Sequence, residues 1–172
     1  VLQEYSVKEQ KLIGERINIF KGTPLGFTEA PHLYRRNGWY YLLTAEGGTA
    51  GPATSHMVVV ARSRHPMGPW ENSPRNPLIH TESRAERWWS VGHGTVIDTP
   101  SGDLWMMVHG YENGFHTLGR QTLMAPIRWT RDGWPVLPRG YKLDRALCVP
   151  RGRSAKHAMS LSDPLCGPEL GL

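Results

Sequence analysis

The chain has only two cysteines among its 172 residues, Cys148 and Cys166. So few, so late in the chain and with no CxxC spacing, they indicate neither a metal site nor a disulfide framework. No apolar run approaches the ~18 residues of a membrane span, so a membrane partner is not expected. The opening stretch VLQEYSVKEQ lacks the apolar core of a signal peptide. Convincing helical periodicity is missing throughout, which argues against a helical fold. HExxH, phosphate-loop and GxSxG patterns are also absent, so the best-marked protease, nucleotide and esterase chemistries find no support. The first residue is Val1 rather than Met, as expected of a piece of a longer protein. No feature assigns a cellular compartment.

Turn formers and aromatics are plentiful. Nineteen glycines, 14 prolines and seven tryptophans fit a turn-rich all-β protein. An apolar fraction of 39% with 20% charged residues excludes a disordered chain. The net charge of +5 has its late share in Lys142, Arg145, Arg151, Arg153 and Lys156, within a Pro/Gly-punctuated tail. No recognition-helix pattern accompanies it, so a solvated linker is expected there and no nucleic-acid partner.

The chain repeats itself. Leu33–Thr44, with its turn at Asn37-Gly38, matches Ile97–Val108, with its turn at Ser101-Gly102, and the turn glycines differ by 102 − 38 = 64 positions. At the same offset Val59-Val60-Ala61 matches Leu123-Met124-Ala125, and Trp70 matches Trp134. Repeats of this size with several strands each point to propeller blades, of which roughly four to eight close a ring. The expected fold is all-β: a partial propeller with about two and a half blades of four-stranded antiparallel sheet. Strands are expected at 11–22, 32–35, 39–45, 57–62, 94–98, 104–109, 120–128 and 134–137, with a looser stretch over 72–90. The repeat is lost after Pro138, so residues 1–138 form the propeller part and 139–172 an irregular linker or tail.

Three segments are odd for a plain sheet. Glu29, in Thr28-Glu29-Ala30-Pro31, precedes an inner strand, and Pro31 biases Ala30 toward an extended conformation. His93, in Ser90-Val91-Gly92-His93-Gly94, stands 93 − 29 = 64 residues later and also precedes an inner strand. Arg120, in Leu118-Gly119-Arg120-Gln121-Thr122, opens an otherwise apolar strand, and its planar guanidinium suits a hydroxyl or carboxylate. His56 is its equivalent at the same offset. A solvated loop glutamate, a core histidine and a surface arginine are the plainer readings of each residue alone; their coincidence in one register raises them together. Glu46 ends a strand within reach of Glu29, whereas Asp103 and Asp132 sit in turn motifs that explain them. Trp88 and Trp89 fit sugar stacking less well than blade packing.

In order and spacing, EAPHLYRRNGWYYLLTAEGGT, VVVARSRHPMGPWE, GHGTVIDT, LGRQT and WTRDGWPVL resemble the C-terminal half of family 43 glycoside hydrolases, over residues 10 to 138. LSDPLCGPELGL resembles the linker to the β-sandwich that follows the propeller in the β-xylosidase-like branch. The resemblance implies a five-bladed propeller that cleaves xylosides and arabinofuranosides with inversion, and an oligosaccharide substrate. It places the general acid on Glu29 and the pocket histidine on His93, which can lie close to a bound calcium or its waters. It places the substrate-binding arginine on Arg120, with Gln121 where glutamate is usual. His56 joins these as an expected sugar contact through the repeat. The family's aspartate base and acid-tuning aspartate belong to the first two blades and match nothing here. The isolated chain is therefore expected to be nearly inactive, and to need the N-terminal blades or to self-associate. A non-catalytic carbohydrate-binding segment, or a structural or interaction segment, is the alternative.

Overall fold

Chain reversals begin at once: β1 (Leu2–Ser6) pairs antiparallel with β2 (Lys11–Ile17), and most of their side chains remain in water. The strand expected over 11–22 thus ends at Ile17. The computed structural model describes residues 1–99 and 102–145. Pro100, Ser101, both cysteines and the tail from residue 146 lie outside the described residues.

β3 (Glu29–Arg36) and β4 (Trp39–Glu46) form a hairpin across Asn37-Gly38, whose φ angles of 48° and 73° are the paired left-handed conformations of a tight two-residue turn. β5 (Met57–Ser63) lies on the far side of β4 and pairs with both β6 (Glu71–Asn72) and β7 (Ile79–His80). The second sheet repeats the plan with β8 (Trp88–Asp98), β9 (Leu104–Glu112), β10 (Gln121–Trp129) and β11 (Pro135–Val136) in sequence order. One turn of 3-10 helix, His116–Leu118, precedes β10. The described residues contain no α-helix.

The core follows from the apolar, largely β-branched or aromatic runs of the central strands. Tyr41, Leu43, Val58 and Val60 pack with Val91, Met106, Val108, Ile127 and Trp134, so the two sheets share one core. Arg62 ties the sheets further: its guanidinium stacks 4.3 Å from the Trp39 ring and 4.1 Å from the Trp134 ring, and donates to the Asp132 carbonyl at 2.6 Å. The Tyr41 hydroxyl donates to the Gly133 carbonyl at 2.5 Å. Past the expected boundary at 138, Tyr141 and Leu143 still pack on this core.

The repeat is faithful in the middle of each sheet and slips at its inner edge. Leu42 faces Ala61 and Met106 faces Ala125, the same register at the 64-residue offset. Leu33 faces Leu42, however, while Ile97 faces Trp105, one residue out of step. The reason lies in the hairpins. The first turns in two residues, so Arg36 faces Trp39, whereas in the second Asp98 faces Leu104 across a longer loop.

Candidate functional site

Glu29 opens β3 opposite Ala45, and a bulge follows it before His32. Ala30 is not extended as expected. Its φ of 49° is left-handed, because the bulge inserts an extra residue that must turn the strand. Glu46, the last residue of β4, directs its hydrogen bonds to the segment before β3. It is wholly buried and accepts hydrogen bonds from the Thr23 amide at 2.8 Å, the Thr23 hydroxyl and the Thr28 hydroxyl at 3.3 Å. Satisfied this way, a buried carboxylate anchors the segment that leads into Glu29. Gly22 leaves room for the arrangement, since a Cβ there would lie 1.9 Å from Thr28 Oγ1.

His56, immediately before β5, is fully buried with its Nδ1 3.2 Å from the Ser90 carbonyl. A carbonyl only accepts, so Nδ1 carries the proton and donates. Nε2 lies 4.0 Å from Glu29 Oε1, whose side chain is 60% exposed. Burial pushes His56 toward its neutral form, opposed by the Ser90 carbonyl and the Glu29 charge. Nε2 then presents a lone pair on the side facing the carboxylate.

His93 was expected just before a strand; it lies within one. β8 starts earlier than the loose composition of 72–90 implies, because Trp88 and Trp89 pair with Glu112 and Tyr111. His93 stands half-buried at a bulge with φ of 58°, which re-aims its ring out of the regular pleat. The ladder also revises its equivalence with Glu29: Glu29 faces Ala45, whereas Gly92 rather than His93 faces His109. Arg120, expected to open a strand over 120–128, stands exposed just before β10, which begins at Gln121.

One residue that joins these groups escaped the sequence reading. The ring of His109 stacks on His56 at 5.3 Å and 24°, and lies 5.4 Å from His93. Its Nε2 is 3.3 Å from Arg120 Nη1. The only signal in the sequence is an imidazole inside the apolar run LWMMVHGYE, and its repeat counterpart is Ala45, which conveys no chemistry. Burial brings the His109 pKa down to about 4, reinforced by the Arg120 guanidinium and by repulsion that a proton on His109 would meet from His56 and His93. Glu29, His56, His93, His109 and Arg120 therefore form one cluster: a carboxylate, three imidazoles, of which burial pushes His56 and His109 toward the neutral form, and a permanent cation. Such a set can give hydrogen bonds to hydroxyls and accept them.

By itself this set of described residues does not satisfy calcium, which takes six to eight oxygen ligands. Beside His93 lies the imidazole of His109, and the described residues hold no group of three or more acidic, histidine or cysteine side chains able to bind a metal. No chemistry is assigned to that ion here.

A family model for glycosyl hydrolases family 43 matches residues 1–135, most of the chain. The chain belongs to that family. Among curated relatives it is 41% identical over 151 residues to a xylosidase/arabinosidase of Humicola insolens, covering 81% of this chain and 26% of that protein. It is 36% identical over 157 residues to a xylan 1,3-β-xylosidase of a Vibrio species, covering 81% of this chain and 28% of the other. The solved xylan β-1,4-xylosidase of Bacillus halodurans superposes with a TM-score of 0.73 at 40% identity, covering 78% of this chain and 26% of that one. The chain thus spans about a quarter of the length of these family 43 proteins. Its two sheets are blades of a partial propeller.

Proposed function

We propose that this chain is the part of an inverting glycoside hydrolase, acting on β-xylosides or α-L-arabinofuranosides of hemicellulose-type oligosaccharides, that supplies the general acid and one side of the sugar pocket. The observation that carries the reading is the Glu29 carboxylate 4.0 Å from the buried His56, within a cluster that includes Arg120 and His93. Inversion needs a carboxylic acid on the leaving oxygen and a second carboxylate that activates water, ~6.5–9.5 Å away. Glu29 is the acid. Arg120 and His93 bind the sugar hydroxyls, the guanidinium donating and an imidazole donating or accepting, whereas His56, expected as a sugar contact, is fully buried and backs Glu29 instead. Among the described residues no second carboxylate is paired with the cluster, and the base is assigned to another part of the enzyme. The names of the relatives, xylosidase/arabinosidase and xylan xylosidases, support a pentose at the cleaved bond. Exposed Leu25, Phe27, Leu33 and Ile97 support completion of the sheets by further blades or by self-association.

The test is Glu29→Ala in the full-length protein, assayed on two substrates. A general acid contributes about 10²–10⁴-fold, and that loss should fall on a pentoside with a poor leaving group. An activated aryl pentoside, whose leaving group departs with little help, should lose far less. The first-formed sugar should have the inverted anomeric configuration by NMR, and azide should not yield a glycosyl azide of retained configuration. Equal losses on both substrates would reduce Glu29 to a binding residue and leave a carbohydrate-binding role.

A further inference from the structure

Arg120 precedes β10 with its side chain largely in water. A long side chain in that position samples many rotamers, and ordering it is costly. To meet a sugar in one orientation it has to be held. Its Nη1 donates to His109 Nε2 at 3.3 Å. A guanidinium has only donors, so this contact requires a lone pair on Nε2. The proton of the neutral ring then sits on Nδ1, and that atom is buried with no well-formed hydrogen bond among the described residues beyond a contact with its own backbone. A buried unpaired donor is unfavourable and calls for an explanation. Here the tautomer that leaves Nδ1–H unpaired is the one that offers Arg120 an acceptor. The shift of His109 to about 4 keeps that acceptor present at neutral pH. His56 and His93 flank the ring at 5.3 and 5.4 Å, which limits its rotation.

We propose that His109 is a positioning residue for Arg120: its Nε2 lone pair holds one N–H of the guanidinium and sets the direction in which the remaining donors meet sugar hydroxyls. The inference rests on the reading of Arg120 as a sugar-binding residue.

The experiment measures kcat and KM of the full-length protein on an aryl β-xyloside and an aryl α-L-arabinofuranoside. The variants are Arg120→Ala, His109→Leu, His109→Gln and the double Arg120→Ala/His109→Leu, each with its Tm. His109→Leu should raise KM about tenfold, the size of one hydrogen bond to a charged group, with kcat within about twofold. The double variant should be no worse than Arg120→Ala alone, because both changes remove the same interaction. His109→Gln, whose side-chain carbonyl can accept, should recover much of the KM, and it carries the comparison if the leucine variant does not fold. Additive losses in the double variant, or no recovery with glutamine, would overturn the role of His109 and leave that of Arg120 standing. An Arg120→Ala variant with unchanged KM would remove the binding role of Arg120, and with it anything for His109 to position.

Discussion

Gly92→Ala is the sharpest probe of the site, because it adds one methyl group where no space exists. A Cβ at this position would lie 2.4 Å from His56 Nδ1, 2.6 Å from Cε1 and 2.7 Å from Cγ. Non-bonded heavy atoms settle near ~3.5 Å, so the ring has to retreat by roughly 1 Å. It has nowhere to go, since His56 is fully buried. Gly92 is not among the positive-φ glycines, so the effect is steric rather than a backbone penalty. Overpacking of this kind costs about 1–3 kcal/mol, and losing the bond from Nδ1 to the Ser90 carbonyl adds about 0.5–1.5 kcal/mol. The full-length protein should therefore be destabilised by about 1.5–4.5 kcal/mol, seen as a lower Tm. Activity should fall further than stability explains. Moving Nε2 away from its place 4.0 Å from Glu29 disturbs the proposed acid, and a 1 Å misplacement can cost about 100-fold. A double-mutant cycle isolates the cause. With His56→Ala already present the collision is gone, and Gly92→Ala should cost less than about 1 kcal/mol. An equal drop in Tm in both backgrounds would mean that the clash with His56 is not what Gly92 prevents.

Two more expectations follow from the same geometry. Glu46→Ala removes the acceptor for the Thr23 amide and for the hydroxyls of Thr23 and Thr28. It should lower stability by about 1–3 kcal/mol and speed amide exchange over residues 23–28; unchanged exchange there would contradict the anchoring role. His109 has a folded pKa of about 4 against an ordinary 6.5. The unfolded chain therefore binds the proton more readily between these values, and stability rises with pH across that window. The contribution is present in full above pH 6.5 and is lost as pH falls through about 4. His56, also pushed down by burial, adds a slope of the same sign. Thermal unfolding from pH 4 to 7 should show a shallower slope in His109→Gln than in the parent; parallel curves would reject the assignment.

Much of the fold could be read from local chemistry. Asn37-Gly38 specifies a two-residue hairpin because both positions must take positive φ, and the run Met57–Ala61 reads as a buried strand because it is apolar and β-branched. β6 and β7 were missed, being two residues long and made by tertiary pairing with β5 rather than by a pattern of their own. The early start of β8 was missed for a related reason. Trp88 sits in a Pro-punctuated stretch and becomes strand only because β9 supplies its partner.

For the site, the 64-residue repeat brought Glu29, His93, His56 and Arg120 to attention, because equal positions in equal repeats reach equal places in a fold. Sequence alone thus determined the repeat, the tight turn and the candidate site residues, all of which depend on residue type and spacing. Tertiary structure alone decided the one-residue slip between the inner strands, since register depends on how each hairpin closes. It also decided that Glu46 anchors a loop and that His109 lies between His56, His93 and Arg120. Those contacts join side chains far apart along the chain, and only the packing of one sheet against the next brings them within reach.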